Sequence, residues 1–269
     1  MAGADLTLRS TGINLGSMQR LARVFIWFML LAIVAPVLTG AVAGWASGWP
    51  ESWRSADWSS TGTLPAAAGE REAMVAVYAA RSGRWKGVVA VHHWIVVKPA
   101  DSQSYVRYDV VGWGNPVRRN HRAPDARWYG NEPRVIHQVR GEAAEALIGP
   151  IEAAVESYPW SDAGTYRVWP GPNSNSFVAY VLRSVPGLGA EMDPTGIGKD
   201  YMGPGLQFGP TPSGTGWQVS AWGVFGAALA RAEGLELHVL GATVGIDPDD
   251  LAIKLPGLGL IGLTQAYSG

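Results

Sequence analysis

The longest uninterrupted apolar stretch of the chain lies near its N-terminus. The residues from Val24 to Ala46 carry no charge, and at about 1.5 Å of rise per residue they are long enough to cross a hydrocarbon layer of about 30 Å. Trp27, Trp45 and Trp49 lie near the two ends, where amphipathic rings favour the membrane interface. The pattern predicts a transmembrane helix over residues 24–46.

The charges that flank this stretch predict its orientation. Arg9, Arg20 and Arg23 precede it, whereas Arg54 is the basic residue that follows closely. Because basic residues are retained on the cytoplasmic side, we expect a single-pass inner-membrane protein with a cytoplasmic N-terminus and a periplasmic or extracellular main domain. The alternative is a cleaved signal peptide, since residues 41–43 (Ala-Val-Ala) fit a small-x-small cleavage site.

The polar and apolar pattern divides the rest of the chain. Residues 1–23 are predicted to be a cytoplasmic flank, and residues 47–71, rich in Ser, Gly, Trp and Pro, a linker. Residues 72–269 are predicted to form one extracytoplasmic domain of the α+β class, an antiparallel sheet with a docked helix.

Within that domain, short alternating apolar runs predict strands, and longer runs of helix formers predict helices. The predicted strands are Ala73–Arg81, Val88–Lys98, Tyr105–Val111 and Arg134–Val139. Glu142–Ser157 is predicted to be a helix, and a second helix is expected to begin near Ser174, inside a cluster of capping residues.

The last part of the chain gives weaker patterns. A strand pair is predicted over Trp217–Val224 and Leu235–Leu240, and Asp247–Asp250 is interpreted as a helix N-cap. Ile253–Leu263 is interpreted as a packed or interfacial tail, because it is apolar but interrupted by Pro256 and several glycines.

Composition excludes several classes of function. The chain has 21 basic and 22 acidic residues and no dense basic run outside the N-terminal flank, which argues against nucleic acid as a partner. It has no cysteine, so thiolate nucleophiles, disulfides and iron–sulfur clusters are excluded. The five histidines lack metal-ligand spacing and no phosphate-binding glycine motif occurs, so we predict no metal, no nucleotide and no other cofactor.

Two segments carry residues suited to acyl-transfer chemistry. Ser174 is predicted at a helix N-terminus, where free N–H groups and the helix dipole favour developing negative charge. His92 lies on a predicted strand as a candidate base, and Asp109 on the next strand is a candidate third member. Solvation of Asp109, or a pair with Arg107, explains this residue equally well.

Asn173 and Asn175 are candidate oxyanion or cleft residues because their side-chain amides can donate hydrogen bonds. Helix capping explains both residues as well, and His92 is equally interpretable as a core histidine. Both interpretations remain open at this point.

Several sequence segments resemble a known family. HHWIVVKP, RYDVVGWG, YPW, WPGPNSNSF, LRSVP and GIGKDY are similar to segments of an uncharacterised bacterial membrane-associated family, domain-of-unknown-function family 3750, over about residues 70–205. More distantly, a strand with His92 followed by a helix opened by N-x-N-x-F resembles the circularly permuted papain-like hydrolases of the NlpC-like and PPPDE-type group. Ser174 stands where that group has its cysteine.

The first resemblance implies no activity, and the second implies a permuted papain-like fold and a hydrolase of amide or ester bonds. Ser174 would be the nucleophile and His92 the base, and the substrate would be envelope material such as a peptide, glycan or lipid. Because serine is a weak nucleophile without an aligned base, the alternative is a non-catalytic envelope binding or scaffold module that retains a degenerate cleft. In either case the membrane lipid bilayer is an expected partner.

Overall fold

A computed structural model describes residues 15–47 and 52–262 of the chain. Several sequence predictions concern residues outside these ranges: the flank up to residue 14 with Arg9, the linker residues 48–51 with Trp49, and residues 263–269 of the predicted domain.

The N-terminal apolar stretch forms one continuous helix. Helix α1 spans Leu15–Met29, a π-helical turn covers Leu30–Val34, and helix α2 spans Ala35–Ser47. The irregular turn directly precedes Pro36, whose ring nitrogen cannot donate the usual helical hydrogen bond. Within this helix, Met18–Val42 has a mean hydropathy of 2.4 and is long enough to cross a membrane. A membrane anchor and an N-terminal signal sequence both have this length and composition.

The first sheet has five antiparallel strands in the order β4-β3-β2-β1-β5. These strands are β1 Met74–Arg81, β2 Val91–Lys98, β3 Val106–Val110, β4 Val117–Arg119 and β5 Arg134–Arg140. The four predicted strands are confirmed, although β2 begins at Val91 because a 3-10 helix occupies Arg84–Val88. The sequence pattern does not predict the short β4, because its three residues, two of them arginines, show no alternation.

Two helices pack on one face of this sheet. Helix α3 spans Glu142–Glu156 and α4 spans Ser174–Ser184, as the sequence pattern predicts. Their apolar sides contribute Ile151 and Phe177 to a core that contains Val77 and Ile95 from the sheet. Because side chains alternate along a strand, the neighbouring residue Trp94 belongs to a second core on the opposite face.

A second sheet of seven antiparallel strands follows as a simple meander in the order β12-β11-β10-β9-β8-β7-β6. Its strands are β6 Leu206–Pro210, β7 Gly216–Ala221, β8 Phe225–Ala230, β9 Gly234–Val239, β10 Ala242–Asp247, β11 Ala252–Leu255 and β12 Gly259–Gly262. The α+β prediction is therefore confirmed in its coarse form, with two antiparallel sheets and docked helices in place of one sheet.

Three expectations for this region are wrong. The segments around Trp217 and Leu235 do not pair with each other, because β8, rich in alanine, lies between them. Asp247–Asp250 caps a turn between strands, with Oδ1 of Asp247 accepting from the N–H groups of Asp249 and Asp250. The segment interpreted as a tail forms β11 and β12.

The charged side chains of the second sheet are directed inward. Nζ of Lys254 donates to Glu191 at 2.5 Å and to Oε1 of Glu236 at 3.0 Å, and it lies 3.7 Å from Oδ2 of Asp247. Nζ of Lys199 also lies 2.5 Å from Oε2 of Glu236. The buried cations hold the pKa of Glu236 down to about 2, although burial alone would raise it.

Candidate functional site

A cavity of about 320 Å³ lies where the start of β2 meets the N-terminus of α4. Its lining includes four of the residues that the sequence analysis selected: His92, Asn173, Ser174 and Asn175. The volume lies within the range of small-molecule sites. Asp109 is not part of the lining and lies behind His92.

Ser174 is the first residue of α4. Oδ1 of Asn173 accepts hydrogen bonds from the N–H groups of Asn175 and Ser176, and the side chain of Ser176 accepts one from the N–H of Asn173, so the helix begins with a complete capping box. Among the described residues, neither the backbone N–H nor Oγ of Ser174 has a hydrogen-bond partner. A hydroxyl and one free N–H group therefore face the cavity at the positive end of a helix dipole.

His92 is held from two sides. Its ring stacks on Trp128 with centroids 3.6 Å apart and an interplanar angle of 2°. Its Nε2 lies 3.6 Å from Oδ2 of Asp109, and among the described residues Nδ1 has no hydrogen-bond partner. Burial lowers the pKa of His92 to about 4, against the opposing effect of Asp109. The imidazole is therefore neutral at pH 7 and able to accept a proton.

Asp109 is fully buried and is the anionic centre of the site. Its Oδ2 accepts hydrogen bonds from Nη2 and Nε of Arg107 at 2.9 and 3.2 Å, and its Oδ1 lies 3.1 Å from Nδ1 of His121. Burial alone would raise the pKa of Asp109. His121, His92 and Arg107 nevertheless hold this pKa well below the usual range. The guanidinium of Arg107 stacks over Trp94 at 4.1 Å and donates to the carbonyl of Ala123.

Ser174 and His92 line the same cavity but, within the described part of the chain, no hydrogen bond joins them. Alternation along β2 directs His93 toward α4, as expected from its neighbour Ile95 in the α4-side core. Nδ1 of His93 lies 2.8 Å from Oδ1 of Asn175. The structure thus brings His92 next to Asp109 on the sheet face opposite α4, and Ser174 lines the same cavity as His92.

The two asparagines have their side-chain amides occupied within the protein. Nδ2 of Asn173 donates to the carbonyls of Val168 and Ile197, and Nδ2 of Asn175 donates to the carbonyls of Val91 and Ile197. These bonds fasten α4 to β2 and to the loop around Ile197. The N–H of Ser174 is consequently the donor that this turn leaves for an oxyanion.

The mouth of the cavity carries exposed apolar side chains and one cation. Trp85, Trp113, Val168 and Trp169 line the cavity and are each about half exposed or more, and Lys86 lies among them. Trp85 and Lys86 belong to the 3-10 helix that contacts α2. The mouth therefore opens beside the apolar N-terminal helix.

Sequence reasoning missed two residues of the site. His121 contacts Asp109, and Trp128 stacks on His92. Both lie between β4 and β5 in a segment without hydrophobic periodicity, so no pattern indicates where their side chains point. Within residues 15–47 and 52–262, no group of three or more His, Asp or Glu side chains is arranged to hold a metal ion.

Fold and cavity together define a mixed α+β protein with an N-terminal apolar helix and a serine–histidine cavity. Residues 72–201 form a domain of the DUF3750 family, described as a protein of unknown function. The domain contains the first sheet, α3, α4 and all the selected site residues, and it ends before β6. No curated protein and no solved structure matches the chain.

Proposed function

We propose that the cavity is the active site of a serine-dependent hydrolase of amide or ester bonds, with Ser174 as nucleophile and His92 as base. The observation that carries this proposal is the convergence on one cavity of an unbonded hydroxyl at a helix N-terminus and a neutral imidazole backed by Asp109. A nucleophile, a base and an orienting carboxylate are the parts that acyl transfer needs.

In the proposed reaction, Oγ of Ser174 attacks the substrate carbonyl carbon and its proton passes to Nδ1 of His92. The carbonyl oxygen becomes an oxyanion, which the backbone N–H of Ser174 and the dipole of α4 stabilise. His92 then protonates the leaving amine or alcohol as the bond to it breaks. Water, deprotonated by His92, then attacks the acyl carbon, the bond from that carbon to Oγ breaks, and the imidazolium returns the proton to Oγ of Ser174 as the acid product leaves. Asp109 stabilises the imidazolium in both steps.

We further propose a permuted papain-like arrangement for residues 72–201. It is supported by the chain order, in which His92 on an antiparallel strand precedes the helix that begins with Ser174. The structure lacks one contact of this arrangement, because Ser174 and His92 are not hydrogen-bonded to each other. Substrate binding has to bring them together, as occurs in enzymes whose catalytic hydrogen bonds tighten only in the complex.

We propose envelope material as the substrate and the inner membrane as the location, with the N-terminus cytoplasmic and residues after about 50 outside. Arg20 and Arg23 at the N-terminal end of the apolar helix support this orientation. The contact between α2 and the 3-10 helix at the cavity mouth supports a peptide, glycan or lipid reached at the membrane surface. A protease-accessibility assay with a C-terminal tag tests the topology, and a protected cytoplasmic tag would contradict it.

A fluorophosphonate probe tests the nucleophile directly, because it forms a covalent bond with an activated serine. The full chain should be labelled, Ser174→Ala should lose the label, and Ser184→Ala should keep it. Ser184 is a matched control because it lies at the exposed C-terminal end of the same helix, where Oγ donates to the carbonyl of Tyr180. Absence of labelling in the unsubstituted chain, or equal labelling of all three proteins, would contradict the proposal.

The second candidate is a non-catalytic envelope module that binds a peptide, glycan or lipid in the same cavity. It is favoured by the missing hydrogen bond between Ser174 and His92 and by the aromatic mouth around Trp85 and Trp169. This candidate predicts ligand binding that Ser174→Ala leaves intact, together with no fluorophosphonate labelling.

A further inference from the structure

The second sheet has an inverted distribution of polar and apolar side chains. One row of directly paired residues crosses six strands on its outer face, and every member is apolar and exposed. The row consists of Trp217, Leu229, Leu235, Ile246, Ile253 and Ile261. The adjacent row on the inner face contains the buried Gln218, Glu236 and Lys254. A soluble two-layer sheet has the opposite arrangement, with its polar side chains in water.

The apolar face is too large for an incidental surface patch. Leu206, Phe208 and Leu229 are each at least 70% exposed. Seven strands at a spacing of about 4.8 Å make the face roughly 29 Å wide. The outward positions of the seven strands carry no charged side chain. Apolar surfaces of this extent on a monomer mark contact with a membrane or a partner.

The turns of this sheet also expose bulky apolar side chains. Trp222, Leu240 and Leu251 are more than half exposed and have positive φ angles of 55°, 54° and 47°. Glycine, asparagine and aspartate are favoured at such positions, and a bulky apolar residue there is strained. Exposure of these apolar side chains to water would not offset the backbone strain. Their positions are consistent with side chains that enter an apolar medium.

The position of the apolar helix indicates which medium this is. Leu30–Val34, in the middle of the spanning stretch, contacts β10, and Gly257 in the β11–β12 turn lies against backbone atoms of Pro36 and Val37. Pro36 lies six residues before Val42, the last residue of that stretch, which is about 9 Å of helix. A bilayer crossed by this helix therefore reaches the edge of the second sheet. The helix thus contacts both a strand and a turn of the sheet that carries the apolar face.

We propose that the outer face of the second sheet is a lipid-docking surface that lies in the outer leaflet of the bilayer crossed by the N-terminal helix. The proposal does not depend on the hydrolase activity. A second copy of the chain is a weaker occupant, because protein interfaces surround their apolar centre with polar groups, and this face has none on its strands.

Single-cysteine spin labelling tests the proposal, because the chain has no cysteine of its own. Leu229→Cys and Ile253→Cys place a nitroxide at two separate points of the face, and their exposure means that neither substitution disturbs a core. Arg71→Cys is the matched control: its side chain is 89% exposed, and it precedes β1 at the end of the first sheet remote from Gly257. Each labelled full chain is reconstituted in vesicles of phosphatidylethanolamine and phosphatidylglycerol.

The measurement is the collision rate of each nitroxide with oxygen, which concentrates in lipid, relative to a water-soluble nickel chelate. We expect this ratio to be several-fold higher at both sheet positions than at the control. A ratio equal to the control would place the face in water and overturn the proposal. Protection from both reagents with spin–spin broadening would show a second copy on the face and would also overturn it. Anchoring by the helix alone gives the control value, so it cannot imitate the expected result.

Discussion

Nε2 of His92 lies 3.6 Å from Oδ2 of Asp109, and the same carboxylate oxygen accepts two hydrogen bonds from Arg107. The three side chains are buried almost completely. A buried carboxylate is tolerated when a cation and hydrogen bonds neutralise it. Arg107 therefore holds Asp109 in its charged form beside the ring of His92, whose orientation is fixed by stacking on Trp128.

Asp109→Asn should destabilise the protein strongly. The substitution leaves the Arg107 guanidinium buried without its counter-ion, and breaking a buried pair in this way costs about 3–5 kcal/mol. Denaturant unfolding of the full chain in detergent measures the loss. Asp101→Asn is the matched control, because its pair with Arg71 is exposed and such pairs contribute less than about 1 kcal/mol. Equal effects of the two substitutions would contradict the assigned role of Asp109.

Stability should fall as the pH falls from 7 to 5. Burial lowers the pKa of His93 to about 3 and that of His92 to about 4, whereas an unfolded histidine has a pKa of about 6.5. In this window each of these histidines binds a proton in the unfolded chain but not in the folded chain, which contributes at most about 1.4 kcal/mol per pH unit. Glu191, whose pKa burial raises to about 7, acts in the opposite sense.

The urea midpoint measured at pH 7, 6 and 5 checks this dependence. His93→Gln removes one of the titrating groups and should reduce the slope, although it lowers the stability at pH 7. An unchanged slope in His93→Gln would show that this histidine is already protonated in the folded protein.

Gly198→Ala should disturb the N-terminus of α4. Gly198 has a φ of +93°, and a Cβ atom there would lie 2.5 Å from Nδ2 of Asn173, the cap of the helix that begins with Ser174. Gly164→Ala is the matched control, since Gly164 has a φ of +84° and no atom near its Cβ position. Both substitutions incur the conformational cost of positive φ, of about 1 kcal/mol.

The difference between the two unfolding free energies therefore reports the contact with Asn173. We expect Gly198→Ala to be the less stable variant and to bind fluorophosphonate more slowly than Gly164→Ala. Equal stability and equal labelling would mean that the cap adjusts without moving Ser174.

Lys254→Met should be among the most destabilising substitutions in the second sheet. Nζ of Lys254 is fully buried between Glu191, Glu236 and Asp247, and its removal takes a cation away from these interior carboxylates, of which Glu236 keeps its pair with Lys199. We expect a loss of about 3 kcal/mol or more in the free energy of unfolding. A loss below about 1 kcal/mol would show that water enters the inner face of the sheet.

Local patterns predicted the first sheet well because its strands are short, alternating and bounded by turn residues. Asn173 was predicted as a cap and Ser174 as the start of a helix from residue types alone, since capping depends on contacts within one turn. The second sheet was largely missed. Its outward positions are apolar and its inward positions charged, and β8 consists mostly of alanine and glycine, which have low strand propensity.

The sequence predicted only those parts of the candidate site that depend on neighbouring residues in the chain. Asp109 was a candidate partner of His92 because it lies on the next strand, but whether its side chain points toward His92 depends on the strand register, which the sequence does not show. His92 and Ser174 line one cavity in the structure. The stacking of Trp128 and the contact of His121 depend on a loop that crosses from β4 to β5. The distance between Oγ of Ser174 and the imidazole of His92 depends on how α4 packs against β2. No residue pattern in the sequence predicts this packing.

The reactivity of a thiol at position 174 tests the central claim most directly. In Ser174→Cys the introduced thiol would be the chain's single cysteine, and the pH dependence of its alkylation gives its pKa. Ser184→Cys on the same helix gives the reference, expected near the ordinary value of about 8.5. If the helix N-terminus and His92 activate this position, the pKa at 174 should be below about 7. A pKa at or above that of Ser184→Cys would contradict an active serine–histidine pair and favour the binding module.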